Sequence, residues 1–167
     1  ASRINSQEME LELSEVNLLS LITNATQNLE VVAKSRKCSF EIFPDESVRG
    51  RWDTSKIEQV ITNLLSNAIK FAPESVIKIS VTNSSGMAEF SITDSGPGIK
   101  PEDQQRIFEC YERGSKRGTI NSKEGLGLGL FIAKKIVECH GGMLTVESVE
   151  KMGATFRVKL PIAEVEL

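Results

Sequence analysis

The chain has 167 residues, 40% hydrophobic and 26% charged, with a net charge of −3, which is ordinary for one globular domain with room for a real core. The slight acidity speaks against a general nucleic-acid binder, no apolar run is long enough to cross a membrane, and no signal peptide opens the chain. Cys38, Cys110 and Cys139 are odd in number and far apart, the pattern of reduced cytosolic thiols.

Residues 1–14 are polar and acidic and read as a linker or the tail of a preceding helix; beginning at Ala1, the chain reads as a fragment of something longer. Residues 16–33 carry a helical pattern, with Leu18, Leu21, Ile22, Ala25, Leu29 and Val32 on one face and Asn17 placed to start it. Residues 38–43 alternate as a strand ending at Pro44, and residues 48–52 make a second short strand. Asp53 or Thr54 then caps a strong helix that runs to about Phe71, where Pro73 stops it. Residues 76–82 and 87–93 form a hairpin around Asn83-Ser84-Ser85-Gly86, followed by a glycine-rich turn over residues 94–99. Residues 100–123 are polar, with little periodicity beyond a short helix near residues 101–108. The run Gly125-Leu126-Gly127-Leu128-Gly129-Leu130 leads straight into a helix whose Leu130, Ala133, Ile136 and Val137 recur at three- and four-residue spacing. Residues 143–148 and 154–160 form a second hairpin that turns at Lys151-Met152-Gly153. Three helices and about six strands predict an α+β fold, a two-layer sandwich with helices covering one face of a mixed sheet.

At about 100° per residue, the helix over residues 54–71 gathers Gln59, Asn63, Asn67 and Lys70 on one stripe. Its apolar stripe of Ile57, Val60, Ile61, Leu64, Leu65, Ala68 and Ile69 lies apart from it. Asparagine is a poor helix residue, so two of them one turn apart invite an explanation beyond a solvated face. An Asn67 amide oxygen suits Mg²⁺, a hard ion that keeps several waters, and Lys70 suits a phosphate oxygen. The stretch Asp94-Ser95-Gly96-Pro97-Gly98-Ile99 directly follows a strand and has turn composition. It also suits a base site: Asp94 accepts from an adenine amino group, Gly96 and Gly98 admit the base against the backbone, and guanine offers the wrong atom at that position. The glycines of residues 125–129 serve either a tight turn or a polyphosphate lying on backbone N–H groups at a helix start. Their spacing is not G-x-G-x-x-G, because Leu130 stands at the third glycine, nor a P-loop, because no Lys-Ser or Lys-Thr follows.

Taken together, these stretches resemble the conserved boxes of sensor histidine kinases. Asn63-Leu-Leu-Ser-Asn67-Ala-Ile-Lys70-Phe71 resembles their N box and Asp94-Ser-Gly96-Pro-Gly98 their G1 box. Phe108-Glu-Cys-Tyr111-Glu-Arg113 resembles the F box, with Cys110 and Tyr111 departing from the usual residues. Gly125-Leu-Gly127-Leu-Gly129-Leu resembles the G2 box, and Gly153-Ala-Thr155-Phe156 the closing glycine–threonine element. The boxes fall in the family's order over roughly residues 16–162. The resemblance implies the Bergerat ATP-binding fold for residues 15–167, after a stub of the dimerisation helix in residues 1–14. It implies that the chain binds ATP or ADP with Mg²⁺ and passes the γ-phosphoryl group to a histidine in two-component signalling. Asn67 would then hold the metal, with Asn63 supporting the ion or its water shell. Lys70 would meet phosphate, Phe71 would flank the nucleotide, and Asp94 would read adenine with the help of Thr155. The nucleotide site would also include Gly96, Gly98, Ile99, Phe108 and Arg113, together with Gly125, Leu126, Gly127, Leu128, Gly129 and Leu130. Residues 100–124 would form a mobile lid carrying Arg113, Lys116, Arg117 and Lys123.

The one histidine, His140, precedes Gly141-Gly142 and reads as a helix C-cap rather than a phosphoacceptor. The resemblance therefore implies a catalytic domain whose acceptor hairpin domain lies elsewhere in the same full-length protein, with a response regulator downstream and no nucleic acid. It implies a monomer for this chain, a homodimer for the full-length protein and a cytoplasmic location. ATPases of the gyrase type place a glutamate base one turn before the metal-binding asparagine. Asn63 stands there instead, and an amide cannot act as base. The other alternative is a regulatory module that binds nucleotide without transferring phosphate.

Overall fold

The structure, a computed structural model, describes residues 9–45, 47–109 and 126–162, with Leu126 and Gly127 described by their backbone alone. In chain order the elements are β1 (Leu13–Asn17), α1 (Leu18–Asn28), α2 (Glu30–Ser35), β2 (Ser39–Phe43), β3 (Arg49–Asp53), α3 (Thr54–Phe71), β4 (Val76–Ser84) and β5 (Met87–Asp94). Two short 3-10 turns follow, Pro101–Asp103 and Arg106–Phe108, then α4 (Leu126–Cys139), β6 (Met143–Ser148) and β7 (Ala154–Pro161).

Five strands form one mixed sheet in the order β2-β4-β5-β7-β6. β2 runs parallel to β4, and the other neighbours are antiparallel. The pleat puts alternate side chains on opposite faces, and register lines the apolar ones into rows. Ile79, Ile92, Phe156 and Val146 form one row, and Val81, Phe90, Val158 and Leu144 the next. These rows meet the stripe of α3, in which Ile57, Val60, Ile61, Leu64, Leu65, Ala68 and Ile69 are all buried. Leu130, Ala133, Ile136 and Val137 of α4 and Leu18, Leu21, Ile22 and Ala25 of α1 complete the same core. The other face carries Ser80, Ser91, Thr93 and Thr155, joined by hydroxyl pairs such as Ser80–Ser91 at 2.8 Å. Helices thus cover one face of the sheet, the expected two-layer α+β sandwich.

The N-terminal third differs from the sequence expectation. Leu13 and Ser14, read as linker, begin β1, which pairs antiparallel with β3 in a separate two-stranded ribbon. Only Val16 of β1 is buried, so the strand has no local pattern to announce it, and its partner lies some forty residues away. The helix expected over residues 16–33 is two, hinged at Leu29, whose φ and ψ of −98° and 4° leave the helical region. Asn24, Thr26 and Asn28 are weak helix formers ahead of that hinge. Asn17 starts α1 as expected, its Oδ1 accepting from the Ser20 N–H at 3.0 Å. Trp52 fastens the ribbon to the sheet: its ring is buried and its Nε1 donates to the Pro161 carbonyl at 3.0 Å.

Candidate nucleotide site

The site helix, α3, is anchored at its start by Asp53, whose Oδ1 accepts from the Lys56 N–H at 3.1 Å and so satisfies a first-turn donor. The second carboxylate oxygen accepts from the Glu12 N–H at 2.8 Å, tying the chain before β1 to the same cap. On the polar stripe, Asn63, Asn67 and Lys70 are all half-buried. Asn63 Nδ2 donates to the Gly129 carbonyl at 3.1 Å, which brings the first turn of α4 against the middle of α3. Lys70 Nζ lies 6.0 Å from the centroid of the Phe71 ring, and Arg36 closes the helix end by donating to the Lys70 carbonyl at 3.0 Å. A cation at a helix C-terminus also complements its dipole.

Asp94 ends β5 on the helix-covered side of the sheet, paired with Ala154. Burial pushes its carboxyl above the usual carboxylate range, although the N–H groups of Gly96 and Ala154 pull it back. The Gly96 N–H is 2.9 Å from Oδ1, and a carboxylate with about four lone-pair positions keeps capacity for a further donor. Glycine is required twice in this loop. A Cβ on Gly96 would sit 2.7 Å from that of Ala72, and Gly98 adopts a φ of +77° with its backbone against Val149. The close approach at Gly96 places the Asp94 loop beside the end of α3, next to Phe71 and Ala72.

α4 begins at Leu126, so Gly127 and Gly129 lie inside its first turn rather than in a loop before it. In such a turn the first N–H groups lack intrahelical partners and face outward for an anion. Leu128 is exposed and Leu130 is buried in the core. Gly125 and Arg113 lie outside the described residues, as do Cys110, Tyr111, Lys116, Arg117 and Lys123. The structure thus draws Asn63, Asn67, Lys70, Phe71, Asp94, Gly96 and the start of α4 around one region. Two of the predicted residues have other partners. Phe108 packs edge-on against Phe156 at 6.2 Å between centroids, with Lys134 Nζ 5.2 Å above its ring. The Thr155 hydroxyl pairs with that of Thr93 at 2.9 Å, on the sheet face opposite the Asp94 side chain. Ile99, half-buried, is held at both backbone groups by Ser148 and Gln104, two side chains that the sequence pattern did not single out.

The donor set suits Mg²⁺. Among the described residues no group of three or more His, Cys, Asp or Glu could hold a metal ion by itself. What the stripe offers is the neutral amide oxygen of Asn67, appropriate for an ion that takes one or two protein oxygens and keeps waters and phosphate oxygens.

His140 is committed elsewhere. Its Nε2 accepts from the Asp53 N–H at 3.0 Å, so the ring proton sits on Nδ1 and is donated to the Ile136 carbonyl at 2.9 Å. Gly141, with φ +81°, and Gly142 then close α4 through N–H bonds to the Glu138 and Val137 carbonyls, the Schellman pattern.

Comparison with known proteins agrees with this fold. Residues 52–164 match the family described as histidine kinase-, DNA gyrase B- and HSP90-like ATPase. The hybrid signal transduction histidine kinase D of Dictyostelium discoideum is 32% identical over 96% of this chain, which spans only 11% of that protein's length. The solved catalytic domain of histidine kinase ThkA is 30% identical with a TM-score of 0.77, covering 90% of this chain and 96% of that one. A structure of ThkA in complex with the response regulator protein TrrA is 28% identical with a TM-score of 0.75, covering 97% of this chain and 46% of that one. Among the described residues no helix is long and apolar enough to cross a membrane.

Proposed function

Because this chain belongs to the family of histidine kinase-, DNA gyrase B- and HSP90-like ATPases, with the catalytic domains of histidine kinases as its relatives, we propose that it binds Mg·ATP and donates the γ-phosphoryl group to a histidine on a separate hairpin domain. The observation that carries the proposal is the convergence of the α3 stripe with the first turn of α4, through Asn63 and Gly129 at 3.1 Å, beside a loop that presents a half-buried carboxylate. Asn67 would supply an amide oxygen to the metal, Lys70 neutralises phosphate charge, and the first-turn N–H groups of α4 face the same anion. Bound Mg²⁺ contributes charge neutralisation across the phosphate oxygens. Asp94 selects the base by accepting from the adenine amino group. In such chemistry the protein's task is positioning and electrostatic stabilisation, and this site consists of groups for those two tasks.

The acceptor hairpin belongs to the full-length protein, and a response regulator receives the phosphoryl group next; what supports a regulator as partner is that the relative ThkA is solved in complex with the response regulator protein TrrA. The full-length protein is a homodimer acting at the cytoplasmic side, and the chain alone is a monomer. Hydrolysis by a gyrase-type mechanism lacks its base, since Asn63 is an amide and its nitrogen is engaged with Gly129. Calorimetric titration with ATP, with and without Mg²⁺, tests the reading. Asn67→Ala should abolish the gain in affinity that Mg²⁺ gives the parent while leaving the melting temperature unchanged. Equal Mg·ATP affinity in variant and parent would remove the role assigned to Asn67.

A further inference from the structure

Gln104 stands between the two 3-10 turns and directs its side-chain amide nitrogen at two carbonyls, Ile99 at 2.9 Å and Ser148 at 3.1 Å. Two acceptors fix the amide's orientation, since only the NH₂ end can face both. Ser148 Oγ donates to the Gly153 carbonyl at 2.7 Å and accepts the Ile99 N–H at 2.8 Å. The N–H and C=O of Ile99 are therefore both held by side chains, outside any helix or strand. Gly153 in turn lies against the end of β5, so close that a Cβ there would stand 2.1 Å from the Asp94 carbonyl oxygen. The result is a closed circuit. It runs from Asp94 along its loop to Ile99, through Ser148 to Gly153, and back to Asp94, with Gln104 binding two of its carbonyls.

We propose that Gln104 and Ser148 are positioning residues for base recognition, setting the place of the Asp94 carboxylate without touching the nucleotide. The inference rests on the nucleotide-domain reading above. One flank of the Asp94 loop is fixed by backbone packing, with Gly96 against Phe71 and Ala72. On the other flank Pro97 accepts from the Lys151 N–H and Gly98 lies against Val149, while the backbone of Ile99 itself is held by these two side chains. A hydrogen bond weakens steeply as its angle departs from linear, so a loop free to shift at Ile99 presents the carboxylate over a range of poses and recognises an amino group less well. The phosphate end, built on α3 and the start of α4, receives no side chain from this circuit and should not feel its loss.

The test separates the two ends of the ligand. Parent, Gln104→Leu and Ser148→Ala are titrated calorimetrically with ADP and with inorganic triphosphate, both with Mg²⁺. Gln104→Leu keeps the side chain's bulk and removes both donors, and because Gln104 is half-buried this variant keeps the test open should Ser148→Ala fail to fold. ADP affinity should weaken by about five- to thirtyfold, the loss of one or two part-buried hydrogen bonds, with triphosphate affinity unchanged. ADP affinity equal to the parent's in both variants would overturn the proposal. So would an equal weakening for ADP and triphosphate, which would mean general loosening of the domain. A parent that binds triphosphate but no ADP would overturn the base-site reading itself, and the inference with it.

Discussion

Asp94→Asn separates what the half-buried carboxylate costs the fold from what it gives the ligand. Burial raises the folded pKa of Asp94 above its ordinary value, against the pull of the Gly96 and Ala154 N–H groups. The folded chain therefore holds that proton more tightly than the unfolded chain. Between the ordinary value of about 3.9 and the raised folded value, stability falls as pH rises, and above both the whole cost of the buried charge is present. Asparagine has nearly the same shape and keeps an acceptor for the Gly96 N–H, 2.9 Å away in the parent. The nucleotide-free variant should therefore be as stable as the parent or more stable at neutral pH, and the difference should shrink as pH drops through the folded pKa. Affinity should move the other way. A hydrogen bond to a charged group contributes about 1.5–3 kcal/mol, which at 1.4 kcal/mol per tenfold is roughly a 10- to 150-fold loss of ADP binding. Thermal melts from about pH 4 to 8, the range spanning the carboxylate titration, give the first quantity, and calorimetric titration with ADP and GDP the second. Unchanged ADP affinity with unchanged preference over GDP would reduce Asp94 to a turn residue. A variant clearly less stable than the parent at neutral pH would refute the assigned cost of burial.

Two further substitutions probe the frame of the site. Asp53→Ala removes the α3 cap and the bond to the Glu12 N–H; at about 1 kcal/mol each the total is about 2 kcal/mol, or roughly 4–8 °C in Tm. Burial raises the Asp53 pKa, but the Glu12 and Lys56 N–H groups, the Ser55 hydroxyl and the Lys56 charge together leave it below its ordinary value. Its stabilisation is thus full above that value and lost as pH falls through the folded one, so parent and variant melts should converge in acid. A Tm gap that stays constant into acid would contradict this. Gly153→Ala places a Cβ 2.1 Å from the Asp94 carbonyl oxygen at a φ of +91°. Strain and overlap together should cost ~2 kcal/mol or more, and a variant melting with the parent would show that β7 yields there without penalty.

Where the sequence pattern was long and periodic, the expectation and the structure agree. The α3 stripe, the two hairpins and the capping of α3 and α4 each follow from local signals: 3.6-residue spacing, turn residues, and an Asp or a Gly-Gly at a helix end. The β1–β3 ribbon was invisible because Leu13–Asn17 buries a single residue and its partner strand is distant. The hinge at Leu29 was hidden because the apolar spacing of Leu21, Ile22, Ala25 and Leu29 runs through it, while weak helix formers decide the backbone. In the candidate site, residue types singled out groups that the fold gathers where α3, the Asp94 loop and the start of α4 meet, since asparagines on a helix and glycines beside an aspartate are costly without a reason. Direction is harder to read. Whether Thr155 shares a face with Asp94 depends on the β5–β7 register, which pairs Asp94 with Ala154 instead. Gln104 and Ser148 look like any polar surface residues until the fold brings two carbonyls to one amide.

The proposed function makes this chain a donor of phosphoryl groups and not an acceptor, and one labelling experiment tests it. The chain is incubated with Mg·ATP carrying a labelled γ-phosphate, alone and mixed with a histidine-bearing hairpin domain of the kind proposed above. Both ring nitrogens of His140 are occupied, Nε2 by the Asp53 N–H and Nδ1 by the Ile136 carbonyl, and no other histidine is present. The chain alone should carry no label, and the hairpin's histidine in the mixture should carry acid-labile label. Label on His140, or a hairpin that stays unlabelled while the chain binds Mg·ATP, would contradict it.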